Sequence, residues 1–342
     1  MTRKSITLAE VAQAAGVSPM TASRAINNRS GVSVETRQHV LKIAADLGYV
    51  VNRAAQKLSG GRSHIIGVIA TGLETEFTGS LLAAISEAAW AAGYETLVYF
   101  HVDREKRPSG GVMQMLRQIS DGVISVLPLE FGYLGEIASI NIPVITIDHR
   151  GEHAEFPSIA ADCYGGTRAA IKHLIDLGHR RIAFIAGDER LASARERHRA
   201  YIDTIAQHGL ANDPELVVAG DFTQGCGLLA MRRLLALASP PSAALCANDV
   251  TAFGAVAAIR DAGLRVPDDI SVVGFDDIPS AAQFYPPLTT VRQPLQQIGR
   301  SAVNSLLALI AGIEPASPLV TLPTELILRA STAAPAHRAS QS

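Results

Sequence analysis

Thr7-Leu-Ala-Glu-Val-Ala-Gln-Ala-Ala-Gly16-Val-Ser-Pro-Met-Thr-Ala-Ser-Arg-Ala-Ile-Asn27 reads as two short helices joined by a glycine turn. Thr7 and Glu10 have the spacing of a capping box, in which each side chain satisfies the other residue's amide. Leu8, Val11, Ala12 and Ala15 recur at helical spacing. Gly16 supplies the left-handed conformation that stops the first helix. Ser18 caps the second helix and Pro19 suits its first turn. Ala22, Ala25 and Ile26 are left to pack on the first helix, and Met20, Thr21, Ser23 and Arg24 to face outward. A third helix is expected from a Ser33 cap to Gly48. Two helices at such a turn can set the second one into a major groove of DNA. A helical bundle that binds nothing would share the same caps and turn.

Charge separates those two readings. Residues 1–60 carry eight Lys and Arg against three Asp and Glu, a net +5. The whole chain is −2, which leaves −7 for the remainder. A basic head on an acidic body is an electrostatic footprint for phosphate. The DNA-facing set from this head is Thr7, Ser18, Pro19, Met20, Thr21, Ser23, Arg24 and Asn27.

A chain of 342 residues exceeds one typical domain, and 48% hydrophobic residues suffice for sizeable cores. No stretch is long and apolar enough to span a bilayer, and Arg3-Lys4 is followed by no apolar run of a secretory signal. A cytoplasmic protein is therefore expected, with no membrane partner. Cys163, Cys226 and Cys246 have no metal or redox spacing, so no metal or other cofactor is expected.

Beyond Gly60-Gly61-Arg62-Ser63, which reads as a linker, short β-rich runs alternate with helical ones. Strands are expected at 65–70, 96–100, 122–127, 144–147, 182–186, 216–218, 243–246 and 271–275. Helices are expected near 79–92, 111–119, 165–177, 194–208, 226–238, 250–262 and 295–311. The alternation implies α/β architecture with two doubly wound parallel-sheet lobes. Ligands in such sheets bind beyond the carboxyl ends of the strands. There the sequence places Phe77, Asp148, Arg150, Arg195, Arg197, Phe222, Asn248 and Asp276. Carboxylate, amide and guanidinium groups suit vicinal hydroxyls, and an aromatic face suits the apolar face of a sugar. Phe222 has core packing as its alternative. Asp249 and Asp277 fit the capping of the following helices better than ligand binding. His179 fits the entry to a strand better than a ligand contact.

The head, with Val32-Ser-Val-Glu-Thr-Arg-Gln-His-Val and Leu47-Gly-Tyr-Val-Val-Asn-Arg-Ala-Ala-Gln-Lys-Leu58, resembles the LacI/GalR repressor family, and the resemblance runs to about residue 331. It implies a helix-turn-helix domain at 1–50, a hinge helix and linker at 51–63, and a periplasmic-binding-protein-like effector domain at 64–331. The implied lobes are about 64–161 with 292–322, and about 162–290, with crossings near 161, 291 and 322. A disordered tail is expected at 332–342, lacking the leucine heptads of a tetramerising coil. The resemblance implies base contacts by Pro19, Met20 and Arg24, and a hinge helix from Asn52 through Arg53 to Ser59. It implies that Leu58 wedges into a minor-groove step; packing on the body is the alternative. It also implies effector contacts by Asp148, Arg197, Phe222, Asn248 and Asp276. Two departures stand out: Val51 replaces a frequent proline, and Ala200 replaces the glycine of the commoner Arg-x-x-Gly form.

The expected function is a homodimeric repressor of a carbohydrate-utilisation operon, released from a palindromic double-stranded operator by a sugar-like effector. A purine-type corepressor would act with the opposite sign. An enzyme is disfavoured, since no nucleophile set, phosphate loop or metal cluster accompanies Asp276-Asp277. A solute-binding protein would leave the basic head unexplained.

Overall fold

The computed structural model describes residues 6–27, 29–49, 62–71, 75–101, 110–127, 141–148 and 156–335. Asn52, Arg53, Leu58, Ser59 and Arg150 lie outside the described residues. The chain divides into two compact units, Met1–Ser63 and His64–Ser342.

The first unit holds α1 (Leu8–Ala14), α2 (Pro19–Ile26) and α3 (Val34–Asp46). Each begins on the side-chain oxygen expected of it. Thr7 Oγ1 accepts from the Glu10 amide while Glu10 Oε2 accepts from the Thr7 amide at 2.7 Å. Ser18 Oγ accepts from the Thr21 amide at 3.1 Å, and Ser33 Oγ from Thr36 at 3.2 Å. Each such cap stabilises by about 1 kcal/mol. Gly16 and Gly48 adopt positive φ, where a side chain would be strained. The core is Val11, Ala12, Ala15, Ala22, Ala25, Val40 and Ala44. These small side chains let the three helices approach closely.

The second unit contains two six-stranded sheets. Its elements in chain order are β1 (Ile65–Thr71), α4 (Glu76–Ala91), β2 (Glu95–His101), α5 (Gly110–Ile119), β3 (Gly122–Val126), β4 (Val144–Ile147) and β5 (Ser158–Ala161). There follow α6 (Cys163–Asp176), β6 (Ile182–Ile185), α7 (Ala192–Gln207), β7 (Val217–Val218), α8 (Gln224–Leu235), β8 (Ala243–Cys246) and α9 (Asp249–Asp261). The last are β9 (Ser271–Asp276), α10 (Pro279–Gln283), β10 (Thr289–Arg292), α11 (Leu295–Ile310), β11 (Leu319–Leu322) and β12 (Glu325–Ile327). The first sheet runs β11-β5-β4-β3-β1-β2 and the second β12-β10-β9-β8-β6-β7. All recorded pairings are parallel except β10 with β12. Inner strands such as β3, β4, β6 and β8 are buried throughout, which explains their continuous apolar runs.

The chain passes between lobes after Ala161, after Arg292 and after Leu322. These passages touch: the Asp162 amide donates to Leu322 O at 2.7 Å, and Thr324 Oγ1 donates to Asp162 O at 3.0 Å. Gly166 sits against them. A Cβ there would lie 2.5 Å from Thr324 Oγ1 and 2.6 Å from Val291 Cγ1. Helix α11 returns to the first lobe, where a Cβ on Gly299 would lie 2.8 Å from the Ala84 backbone on α4.

The segment from Thr332, expected to be disordered, is in place through Pro335 because buried polar groups need it. Ser331 is wholly buried; its Oγ donates to Val272 O at 2.5 Å and accepts from the Thr289 amide at 2.8 Å. The Ala333 amide donates to Ser271 Oγ at 3.0 Å. His179 Nε2 lies 2.9 Å from Ala333 O and its Nδ1 2.9 Å from Ser242 Oγ. The carbonyl requires a proton on Nε2, so Nδ1 accepts from the serine. His173 Nε2 meets Thr332 Oγ1 at 3.1 Å. The second lobe therefore extends beyond its expected end at 290 to include β10, β12 and this strap.

Burial lowers the pKa of His179 from its usual 6.5, so the fold holds it neutral. Its contribution is complete above the unfolded value and is lost as pH falls through the depressed one. His179→Ala is expected to destabilise the protein by about 2–3 kcal/mol near neutral pH, measured by urea unfolding. Wild type is expected to lose stability below about pH 6.5 more steeply than His179→Gln. Equal slopes would remove His179 as the source.

Candidate nucleic-acid interface and ligand cleft

In the head, the cap and packing residues of α2 leave one face outward. Met20 is 66% exposed, and Pro19 and Arg24 are exposed beside it. Thr21, Ser23 and Asn27 are half-buried, and Asn27 Nδ2 donates to Ser23 Oγ at 3.3 Å. Thr7 and Ser18 use their hydroxyl oxygens as caps, which orients the start of each helix. Gly31 has φ +89°, and a Cβ there would stand 3.2 Å from Arg24 Nη1. Arg37 Nη2 donates to Arg29 O at 2.8 Å and braces the turn before α3. The outward face thus carries one long cation, a thioether and small hydroxyls on a rigid helix.

In the body, the candidate site is built around Arg197 on α7, only 4% exposed. Its Nη1 donates to Ala247 O at 2.5 Å. Its Nη2 lies 3.7 Å from Asp276 Oδ1 and 3.7 Å from Cys163 Sγ. The guanidinium carbon stands 3.8 Å from the centroid of Phe275 and 5.8 Å from that of Phe222. Nε has no hydrogen-bond partner among the described residues.

Asp276 ends β9 with φ +112°, and Asp148 follows β4 with φ +61°. Both carboxylates act electrostatically on Arg197, which brings together groups from both sheets. Burial raises the Asp276 carboxyl to about 6; Arg197 and a hydrogen bond from Gln293 pull it down, and Asp148 pushes it up. Gln293 Nε2 donates to Asp276 Oδ1 at 2.7 Å. Burial pushes the Cys163 thiol up to about 12, so it stays protonated.

Phe222, half-buried with φ +67°, lays its ring on Gly187, where a Cβ would come within 2.1 Å of Cζ. Phe77 is half-buried and packs against both main hydrophobic clusters. Asn248 spends its side chain on the protein. Its Oδ1 caps α9 through the Thr251 amide at 2.8 Å, and its Nδ2 donates to Phe222 O at 3.2 Å. Arg195 is exposed and turned to the loop before α7, donating to Glu189 O at 2.5 Å and Arg190 O at 3.1 Å. The structure does not bring it to the Arg197 cluster, because these carbonyls hold its Nη1.

Asp249 and Asp277 are tied to the protein, although not as helix caps. Asp249 accepts from Thr290 Oγ1 at 2.5 Å and from the Ile278 amide at 2.9 Å. Asp277 pairs with Arg292 Nε at 2.7 Å and Arg329 Nη2 at 2.6 Å. The cap of α9 is Asn248 and that of α10 is Ile278. Sequence reasoning missed Gln293 and Gly187. Gln293 follows a strand, β10, that was not expected; Gly187 follows β6 and is legible only once Phe222 is placed.

Residues 7–52 match the family of bacterial regulatory proteins, lacI family, and residues 171–332 match a periplasmic binding protein-like domain. The chain is 35% identical over 336 residues to the lactose operon repressor of Escherichia coli (strain K12), covering 97% of this chain and 92% of that one. It is 32% identical over 332 residues to the probable HTH-type transcriptional repressor ExuR of Bacillus subtilis (strain 168), covering 95% and 98% respectively. A crystal structure of the lac repressor dimer bound to operator and the anti-inducer ONPF superposes with a TM-score of 0.83 at 33% identity, covering 97% of this chain and 100% of that chain. A complex of the transcriptional regulator CelR with cellobiose gives 0.73 at 31% identity, with 95% and 99% covered.

The raised Asp276 carboxyl has a measurable consequence. Its folded value of about 6 lies above the ordinary 3.8, so its favourable contribution is complete in acid and is lost as pH rises to about 6. Asp276→Asn cannot ionise. Between about pH 4 and pH 7 the ligand-free variant is expected to gain on the order of 2 kcal/mol over wild type. Parallel melting temperatures across that range would refute this.

Proposed function

This chain belongs to the lacI family of bacterial regulatory proteins, and we propose that its effector is an uncharged, hydroxyl-rich molecule, a sugar or sugar derivative that releases it from a palindromic operator. It is a DNA-binding transcriptional repressor that answers to a small molecule, and it is not an enzyme. The observation that carries the effector class is the state of Arg197. Its guanidinium is engaged by Ala247 O, Asp276 and the Phe275 ring, and two carboxylates share its surroundings. Among the described cleft residues no cation is left to neutralise a phosphate or sugar acid. Carboxylate oxygens and the one open N–H favour hydroxyl groups, and the Phe222 ring offers an apolar face. The similarity to a regulator complexed with cellobiose supports a sugar.

The residues assigned to the effector are Asp148, Arg197, Phe222 and Asp276, with Phe77 and Asn248 shaping the walls. Gln293 positions Asp276. In the head, Met20 and Arg24 read base edges from α2, aided by Pro19, Thr21, Ser23 and Asn27. A homodimer working in the cytoplasm presents two such heads to the two halves of the operator. Effector and operator prefer different lobe arrangements, so each weakens binding of the other by the same factor.

Melting of the full-length protein against neutral sugars, sugar phosphates, sugar acids and purines tests the effector class. A neutral sugar at a hundredfold excess over its dissociation constant is expected to stabilise by about 2.7 kcal/mol. A response to phosphates or acids alone would overturn the reading. A purine response would reverse the sign of regulation.

Arg24→Ala tests the head on a site selected from random duplex DNA. Specific affinity is expected to fall by about 1–3 kcal/mol while non-specific affinity falls far less. Equal losses on both DNAs would make Arg24 a phosphate contact.

A further inference from the structure

Arg29 stands in the turn that follows α2, just past the C-cap Asn27. Its side chain is exposed and makes no ion pair or hydrogen bond among the described residues. Its backbone, by contrast, is pinned from both sides. The Arg29 amide donates to Arg24 O at 2.9 Å, which ties it to the last turn of α2. The Arg29 carbonyl accepts from Arg37 Nη2 at 2.8 Å, which ties it to α3.

The three arginines around this turn therefore differ in what they can do. Arg37 is half-buried and spends a guanidinium nitrogen on the brace. Arg24 is exposed on α2 and lies over the turn, where Gly31 at φ +89° leaves it room: a Cβ there would stand 3.2 Å from Nη1. Arg29 has a fixed point of departure and a free charged end. Such a side chain loses little freedom when it meets a charged partner, because only its own rotamers remain to be ordered.

We propose that Arg29 anchors the head to a DNA phosphate at the rim of the major groove, at the end of α2 opposite to the residues that enter it. A recognition helix meets base edges through its N-terminal residues. Pro19–Ile26 spans about 12 Å, close to the width of the groove. With Pro19 and Met20 among the bases, Arg29 lies beyond the other end, where the sugar-phosphate wall stands. A guanidinium fork matches phosphate oxygens, and phosphate contacts fix orientation without reading sequence. Arg29 thus sets the angle at which Met20 and Arg24 face the bases. The inference rests on the head as the DNA-binding element and is independent of the effector.

The test titrates the full-length, effector-free protein onto two duplexes between about 50 and about 200 mM salt. One is a site that the wild type selects from random sequence; the other has equal length and unrelated sequence. Arg29→Ala is expected to weaken binding to both by the same factor. Its log affinity should fall less steeply with log salt, by about 0.9 for each head bound. The gap from wild type then narrows roughly 3.5-fold for each head across that range. Arg29→Gln is expected to match Arg29→Ala, while Arg29→Lys, which keeps a point charge, keeps the wild-type slope. The melting temperature should not move, since truncation leaves the amide and carbonyl bonds in place. An unchanged salt slope would overturn the anchor, and with a lowered melting temperature it would leave a structural residue only. An altered base preference when Arg29→Ala repeats the selection would overturn it too, making Arg29 a base reader. Arg24→Ala on the same duplexes tests base reading separately, because it can lose discrimination while Arg29→Ala changes the slope alone, and the reverse.

Discussion

The Thr324 hydroxyl donates to the carbonyl of Asp162 where passages of the chain between the sheets run side by side. Gly166 permits that meeting, because a methyl there would strike Thr324 and Val291. Asp162, Leu322 and Thr324 thus meet next to Val291, just before the passage after Arg292, so the passages are held at one place. A bulkier residue at 166 would have to push Thr324 and Val291 aside.

Within the cleft the governing fact is electrical. A guanidinium 4% exposed requires compensation, and it receives a carbonyl, a carboxylate and an aromatic face. Asp276 is held for this task by Gln293, and its own burial keeps its proton affinity high. The Arg197–Asp276 pair is therefore a compromise between two charges that have both lost water. On the effector reading proposed above, a hydroxyl group would supply both a donor for the Asp276 carboxylate and an acceptor for the Arg197 Nε–H.

The head was legible almost residue by residue, since its caps, turn and packing are set within a few positions of one another. Inner strands of the body were legible for a related reason: burial on both faces writes a continuous apolar run. β5, β10, β11 and β12 were not. Ser158–Ala161 and Thr289–Arg292 are short and rich in small or hydroxyl side chains, while β11 and β12 lie at sheet edges and are partly exposed. Gln293 was hidden with β10. Arg195 and Arg197 look alike in sequence two positions apart, yet a helix turns one to loop carbonyls and the other to the interior. The strap to Pro335 was misread as disordered because it is held through the backbone of Ala333, by partners as distant as His179 and Ser271.

That strap has a consequence for how the protein is made. Among the described residues, the head draws nothing beyond Tyr49 into its core. The first sheet, by contrast, lacks an edge until Leu319–Leu322 is synthesised, and the second lacks its buried Ser331 until slightly later. On the ribosome the DNA-reading part is complete while both lobes are still open. A chain halted in its last tenth would carry an intact reading head on a body unable to close around anything. Translation thus delivers recognition first and control last.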